Sequence, residues 1–223
     1  MISYQHLDEL KQLYILKATG TQYVDPIAIE PSEVDEKVTL PSDIDALHKL
    51  ISGCHLCDLS KSRRHVQIHH GQNASGLMII SDFPTLAEDN EGAYAGKSGE
   101  MLKGMIEKVL QLSTESVYFT HAVKCMPASA NTPTESECRS CQPFWQQQIQ
   151  NIQPKLIVAL GSFSYNVLTH GSGDFKNDQG KLLPFAQTQI IAIEHPKILV
   201  RNPHLKKRTM QELQLIKSYL CEN

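Results

Sequence analysis

The sequence predicts an α/β protein built on a largely parallel sheet with both faces covered. Short apolar runs at 77–80, 117–120, 156–160 and 190–193 alternate with helix-period segments. That is the pattern of strands buried on both faces and joined by crossover helices. Each run gives way to polar residues suited to a site: Ser81-Asp82-Phe83-Pro84-Thr85, His121, Gly161-Ser162 and Glu194-His195-Pro196. Ligands in such sheets gather beyond the carboxyl ends of the strands. A length of 223 residues suffices for one full core plus an extension.

The elements follow in order. Residues 4–18 place Leu7, Leu10, Leu13 and Tyr14 on one helical face, and the acidic, proline-broken stretch 25–36 reads as a linker ending near Pro41. Residues 1–40 therefore form an N-terminal helix and linker, and 41–223 the domain proper. Ser42 with Asp45 suggests a capping box for a helix carrying Ile44, Leu47, Leu50 and Ile51, which delivers the chain into Cys54. After the strand at 77–80, residues 98–111 form a helix with Leu102, Met105, Ile106, Val109 and Leu110 inward. The strand at 117–120 precedes a helix over 134–152. The strand at 156–160 runs into Gly161 and a helix over 162–169, and after the strand at 190–193 a long helix covers 204–220. No internal repeat is visible.

Composition narrows the class. Hydrophobic content is 41%, charged content 20% and net charge −3. No apolar run approaches the roughly 20 residues of a membrane helix. The start, Met1-Ile2-Ser3-Tyr4-Gln5, lacks a secretory pattern, so the expected location is cytoplasmic, with cysteines reduced. The net charge argues against a generally adhesive nucleic-acid coat but leaves room for a local basic face.

The cysteines carry the strongest chemical signal. Cys54-x2-Cys57 is one two-ligand clamp, Cys125 follows a strand, Cys138-x2-Cys141 opens a helix, and Cys221 sits on the terminal helix, where it is expected to be inert. A reduced quartet spread along the chain reads as a metal or iron–sulfur site rather than as disulfides. Zinc would take Cys54, Cys57, Cys138 and Cys141. Iron–sulfur chemistry would take Cys54, Cys57, Cys125 and Cys141. Reduced cysteines also serve simply as small core residues. Spacing alone does not separate these readings.

Longer motifs add a resemblance. They are Cys54-x2-Cys57-x-Leu59-x3-Arg63, Glu88-Asp89-x2-Gly92-x-Tyr94-x-Gly96-x-Ser98-Gly99-x2-Leu102, Val117-Tyr118-x5-Lys124-Cys125-x-Pro127, Cys141-x-Pro143, Ala159-Leu160-Gly161 and His195-Pro196-x2-Leu199-x-Arg201. In this order, over about residues 50–217, the chain resembles the family 4, iron–sulfur uracil-DNA glycosylases. The resemblance implies a three-layer α/β/α sandwich around a four-stranded parallel sheet. It also implies a [4Fe–4S] cluster on Cys54, Cys57, Cys125 and Cys141, with Cys138 as an extra. The implied activity is removal of uracil from single- or double-stranded DNA in base-excision repair, by a monomer.

A glycosylase must extrude its base, read the Watson–Crick edge and stabilise a sugar cation while the base leaves as an anion. His195, fixed by Pro196 after an apolar strand, is the natural donor to that anion. Asp82 supplies a carboxylate to oppose the sugar cation or orient water. Tyr94 stands where the resembled family has a phenylalanine floor. His121 replaces the asparagine that reads uracil, offering one donor and one acceptor in a different geometry. Phe83 and Thr85 replace small residues of the family's Gly-Glu-Ala-Pro-Gly motif, and Phe83 is expected beside the base. Arg63, within Lys61-Ser62-Arg63-Arg64, and Arg201 with Lys206 and Lys207 are the expected phosphate contacts. These departures leave room for a non-catalytic DNA-binding module or a glycosylase with another base preference. A zinc-stabilised α/β protein unrelated to DNA is the remaining alternative.

Overall fold

The computed structural model describes residues 11, 14–20, 40–127 and 132–222. The chain divides into two compact units, Met1–Thr39 and Leu40–Asn223. In the first, residues 14–18 are helical. Leu7, Leu10, Leu13 and the stretch 25–36 lie outside the described residues.

The second unit begins with α1 (Ile44–Ser52), which Asp43 caps by accepting from Ala46 N at 2.7 Å. The expected Ser42–Asp45 box is replaced by this single aspartate. Leu47 and Ile51 of α1 pack on Phe144, whereas Leu50 lies on the outer face. Then follow β1 (Leu77–Ser81), α2 (Leu86–Glu91), α3 (Gly96–Gly104) and β2 (Tyr118–His121). Next come α4 (Glu135–Ile152), β3 (Leu156–Leu160), α5 (Gly161–Leu168) and α6 (Phe175–Asp178). The chain closes with β4 (Leu182–Phe185), β5 (Thr188–Ile193), α7 (Pro196–Arg201) and α8 (Lys206–Glu222). The helix expected over 98–111 starts earlier, at Gly96, and its last six residues, Met105–Leu110, form a π-helical turn.

The strands form one sheet in the order β2-β1-β3-β5-β4. The pairs β1–β2, β1–β3 and β3–β5 are parallel, as the alternating pattern requires. Among the described residues the sheet has five strands rather than four: β4 adds antiparallel to the edge of β5. Its sequence, Leu-Leu-Pro-Phe, is only partly buried and contains Pro184, a residue tolerated at a sheet edge.

The two faces of the sheet alternate residue by residue. Leu77, Ile79, Val158, Ile191 and Ile193 face Leu102, Ile106, Leu213 and Ile216 of α3, its π turn and α8. Met78, Ile80, Ile157, Ala159 and Ala192 face Trp145 of α4 and Tyr165 and Leu168 of α5. The result is a three-layer sandwich. The chain leaves β1 to one side for β2 and returns on its other side as β3, so β1 borders the topological switch point where α/β sheets hold ligands.

Candidate active site

The carboxyl ends of β1, β2 and β5 bring together residues far apart in sequence. Ser81 and Asp82 follow from β1, His121 ends β2 in register with Ser81, and His195 lies two residues beyond β5. Gly161, at the exit of β3 between them, has φ of +84°, and a Cβ there would come within 3.0 Å of His195 Cβ. Only glycine lets β3 turn into α5 while His195 packs this close.

His195 is the N-cap of α7, with Pro196 at its start, and its Nδ1 accepts from the Lys197 backbone N–H at 3.0 Å. That bond places the neutral ring's proton on Nε2. Nε2 lies 3.1 Å from Asp82 Oδ1 and 3.0 Å from Ser81 Oγ. Asp82 also accepts from the Phe83 backbone N–H at 2.9 Å and is paired through Oδ2 with the Lys197 ammonium. Burial alone would raise the Asp82 carboxyl; the hydrogen bond from His195 and the Lys197 ammonium outweigh it and hold the group well below the usual carboxylate range. A buried, ionised carboxylate thus sits beside an Nε2–H donor.

The residues expected around the base lie next to this pair. His121 is buried, and its Nε2 has no hydrogen-bond partner, although Glu88 Oε1 is 3.5 Å away. Burial works against ionisation of Glu88, but the nearby His121 ring and the bonds from Thr85 keep its carboxyl below the ordinary value. Tyr94 has φ of +64° and stacks on Phe119 at 4.9 Å, while Phe119 meets the His121 ring at 5.0 Å. Gly99 admits this turn, because a Cβ there would lie 2.2 Å from the Tyr94 backbone. The Tyr94 hydroxyl is buried without a partner. The Tyr94 hydroxyl and His121 Nε2 thus lie on either side of Phe119, and a buried polar atom without a partner calls for an explanation in a native protein.

Phe83 follows Asp82 directly and is half-buried. Its ring packs edge-on to Phe163 at 5.4 Å, against the cysteine-bearing core, with Lys197 Nζ 5.0 Å from its centre. Thr85 has a local role as the N-cap of α2, bonding reciprocally with Glu88. The Thr85-x2-Glu88 signal for this helix stood in the sequence and was missed, as was any role for Glu88. Lys197 was missed too. Its signal was a cation directly after His-Pro, but its partner Asp82 comes from a distant strand.

Cys125 and Cys141 are buried in an apolar group with Leu59 and Val123, which Cys57 and Cys138 also join. Burial raises the Cys125 thiol; a 3.1 Å bond from Arg63 Nη1 opposes it, and the charges of Cys57 and Cys54 add to it. Burial pushes the Cys141 thiol up to about 12, countered by the backbone and charge of Lys124 and reinforced by Cys125 and Cys57. Cys54, Cys57, Cys125 and Cys141 therefore share one electrostatic neighbourhood. The charges that act on Cys138 are instead those of Glu137 and Glu135. Among the described residues, no three His, Cys, Asp or Glu side chains are gathered tightly enough to hold a single metal ion.

Arg63 is turned inward: Nη2 also bonds the Cys54 carbonyl at 2.6 Å, so its guanidinium serves the cysteine site rather than presenting a free charge to DNA. Arg201, Lys206 and Lys207 are exposed on α7 and α8, at the same end of the sheet as His195. Lys206 borders an apolar groove of about 570 Å³ lined by Met101, Met105, Leu199 and Leu213.

Residues 68–215 match the family described as the uracil DNA glycosylase superfamily. A type-4 uracil-DNA glycosylase of Pyrobaculum aerophilum is 30% identical over 183 residues, covering 78% of this chain and 92% of that protein. Proteins of the same name from Sulfurisphaera tokodaii and Thermotoga maritima are 29% and 25% identical, over 78% and 79% of this chain and 84% and 94% of theirs.

Proposed function

The chain belongs to the uracil-DNA glycosylase superfamily, in its type-4 group, and on that premise we propose that it flips uracil from DNA and hydrolyses the N-glycosidic bond. The observation that carries this reading is the Asp82–His195 pair at the strand ends, a buried carboxylate 3.1 Å from an Nε2–H. As the base departs, the ionised Asp82 opposes the positive charge that develops on the sugar. The single His195 Nε2–H, held on Asp82 and Ser81 before the base arrives, turns from them to the base O2, where negative charge develops. Both groups are fixed before the reaction, so little reorganisation is spent on them in the transition state. The flipped base lies over Tyr94, and its edge meets the orphaned His121 Nε2 and the Glu88 carboxylate, one able to donate and the other to accept. A protein of this kind meets DNA through phosphates, and Arg201, Lys206 and Lys207 are the cations proposed for that contact. It acts as a monomer in the cytoplasm.

Cys54, Cys57, Cys125 and Cys141 fit a [4Fe–4S] cluster, which supplies a crosslink between the end of α1, the exit of β2 and the first turns of α4. The fit rests on the donor set: Cys57, Cys125 and Cys141 share one apolar group, the charge of Cys54 reaches Cys125, and Arg63 and Lys124 oppose the upward push of burial on Cys125 and Cys141. Cys141→Ser is expected to lower the iron content of anaerobically purified protein, and Cys138→Ser to leave it unchanged. Iron and sulfide analysis checks both, and the reverse pattern contradicts the assignment.

Incubation with uracil-containing single- and double-stranded oligonucleotides, followed by alkaline cleavage of abasic sites, tests the function. Breaks at the uracil position are expected; their absence speaks for a DNA-binding module. A shifted base preference is the second reading, favoured by the His121–Glu88 wall. His121→Asn restores the amide of the resembled enzymes and is expected to raise uracil excision. A fall in excision would show that His121 is itself the better reader.

A further inference from the structure

Loss of a base leaves a deoxyribose whose C1′ is an aldehyde carbon in its open form. Asp82 is the group proposed above to face that carbon, and the inference rests on that reading. The Lys197 Nζ is bonded directly to the Asp82 carboxylate. It is held there by two further contacts: its backbone N–H on His195 Nδ1 at 3.0 Å and the Phe83 ring 5.0 Å from Nζ. The side chain is nevertheless 39% exposed, so the amine reaches the surface where DNA arrives. As a fixed charge this group is misplaced, since it opposes the sugar cation that Asp82 would stabilise. As an amine beside a carbonyl carbon and an acid–base partner, it has the elements of covalent catalysis.

We propose that Lys197 gives the protein a second activity, as a lyase acting on the abasic site. Solvent takes one proton from the ammonium, and the freed lone pair on Nζ forms a bond to C1′. The carbonyl π electrons move to oxygen, which takes one proton from Nζ and a second from solvent. That oxygen then leaves as water, giving a protonated imine. Transfer of a C2′ proton to solvent forms the C2′–C3′ double bond and expels the 3′ phosphate, cutting the strand. Hydrolysis of the imine consumes one water, restores the Lys197 amine and releases the sugar fragment. No oxidant, reductant or metal enters the sequence.

The test uses the full-length protein and an oligonucleotide carrying a preformed abasic site, with sodium borohydride to reduce the imine to a stable bond. Wild type is expected to yield a DNA-linked protein whose modified peptide contains Lys197. Lys197→Arg keeps a cation beside Asp82 but removes the nucleophilic amine. It should lower both trapping and strand scission by at least roughly tenfold, because a positioned amine outruns unplaced ones through its effective concentration. Equal trapping by Lys197→Arg, a crosslink at another amine, or no crosslink in wild type overturns the proposal. Should Lys197→Arg disturb the fold, the peptide map of the wild-type adduct decides alone. The preformed site bypasses uracil removal. Trapping without excision therefore overturns the glycosylase reading and spares this one, and excision without trapping does the reverse.

Discussion

His195→Ala is expected to lower uracil excision by on the order of 10²–10³ while leaving DNA affinity near wild type, as for the removal of one preorganised donor. The imidazole is locked from two sides, Nδ1 by the Lys197 backbone and Nε2 by Asp82 and Ser81. Removing it takes away both the donor to the departing base and the partner that keeps Asp82 ionised. It takes no charge from the exposed cations on α7 and α8, so binding to phosphates should persist. Single-turnover excision measured beside a binding isotherm separates the two. A parallel loss of binding would mean that His195 holds α7 in place rather than serving the reaction.

The largest expected effect on stability is at Lys124. Its amine is fully buried, which lowers its pKa to about 7, and donates to Thr120 Oγ1 at 2.6 Å, the His121 carbonyl at 2.7 Å and Gln148 Oε1 at 2.7 Å. Gln148 passes the network on to Tyr118, whose hydroxyl meets His48 Nε2 at 3.0 Å. Lys124→Met keeps the volume but strands three buried acceptors. The cost should be about 3 kcal/mol, between the loss of charged hydrogen bonds and the breaking of a buried ionic group. At this chain length that corresponds to a fall of roughly 6–12 °C in the melting temperature. Because the network holds the carbonyl of His121, base reading should suffer together with stability. An unchanged melting temperature would contradict this view of Lys124.

How much of this was legible in the sequence depended on whether the signal was local. The strands at 77–81, 118–121, 156–160 and 188–193 each carry a short apolar run because most of their length is buried on both faces, and such runs announce themselves. The edge strand β4 hid because one face is open and Pro184 sits within it. Helix α2 hid because it is polar and follows Pro84, although its capping box was written in the chain. Met105, Ile106 and Leu110 fit an α-helical stripe and a π turn equally well, so the change of winding left no pattern. At the site, His195 and Asp82 could be picked out because each follows a strand. The Asp82–Lys197 and His121–Glu88 pairs could not, because each joins segments that meet only once the sheet is assembled. Arg63 misled for the same reason. In a basic run it reads as a phosphate contact, yet folding carries its guanidinium onto Cys125 and Cys54.

The central claim is that the Asp82–His195 pair severs uracil from its sugar. Its most direct test is chromatographic identification of the free base released from a uracil-containing oligonucleotide. The account predicts free uracil from the wild-type protein, equal in amount to the total strand breaks counted after alkali and sharply reduced in His195→Ala. Tight binding of the same oligonucleotide with no uracil released, by wild type or by His121→Asn, would contradict it.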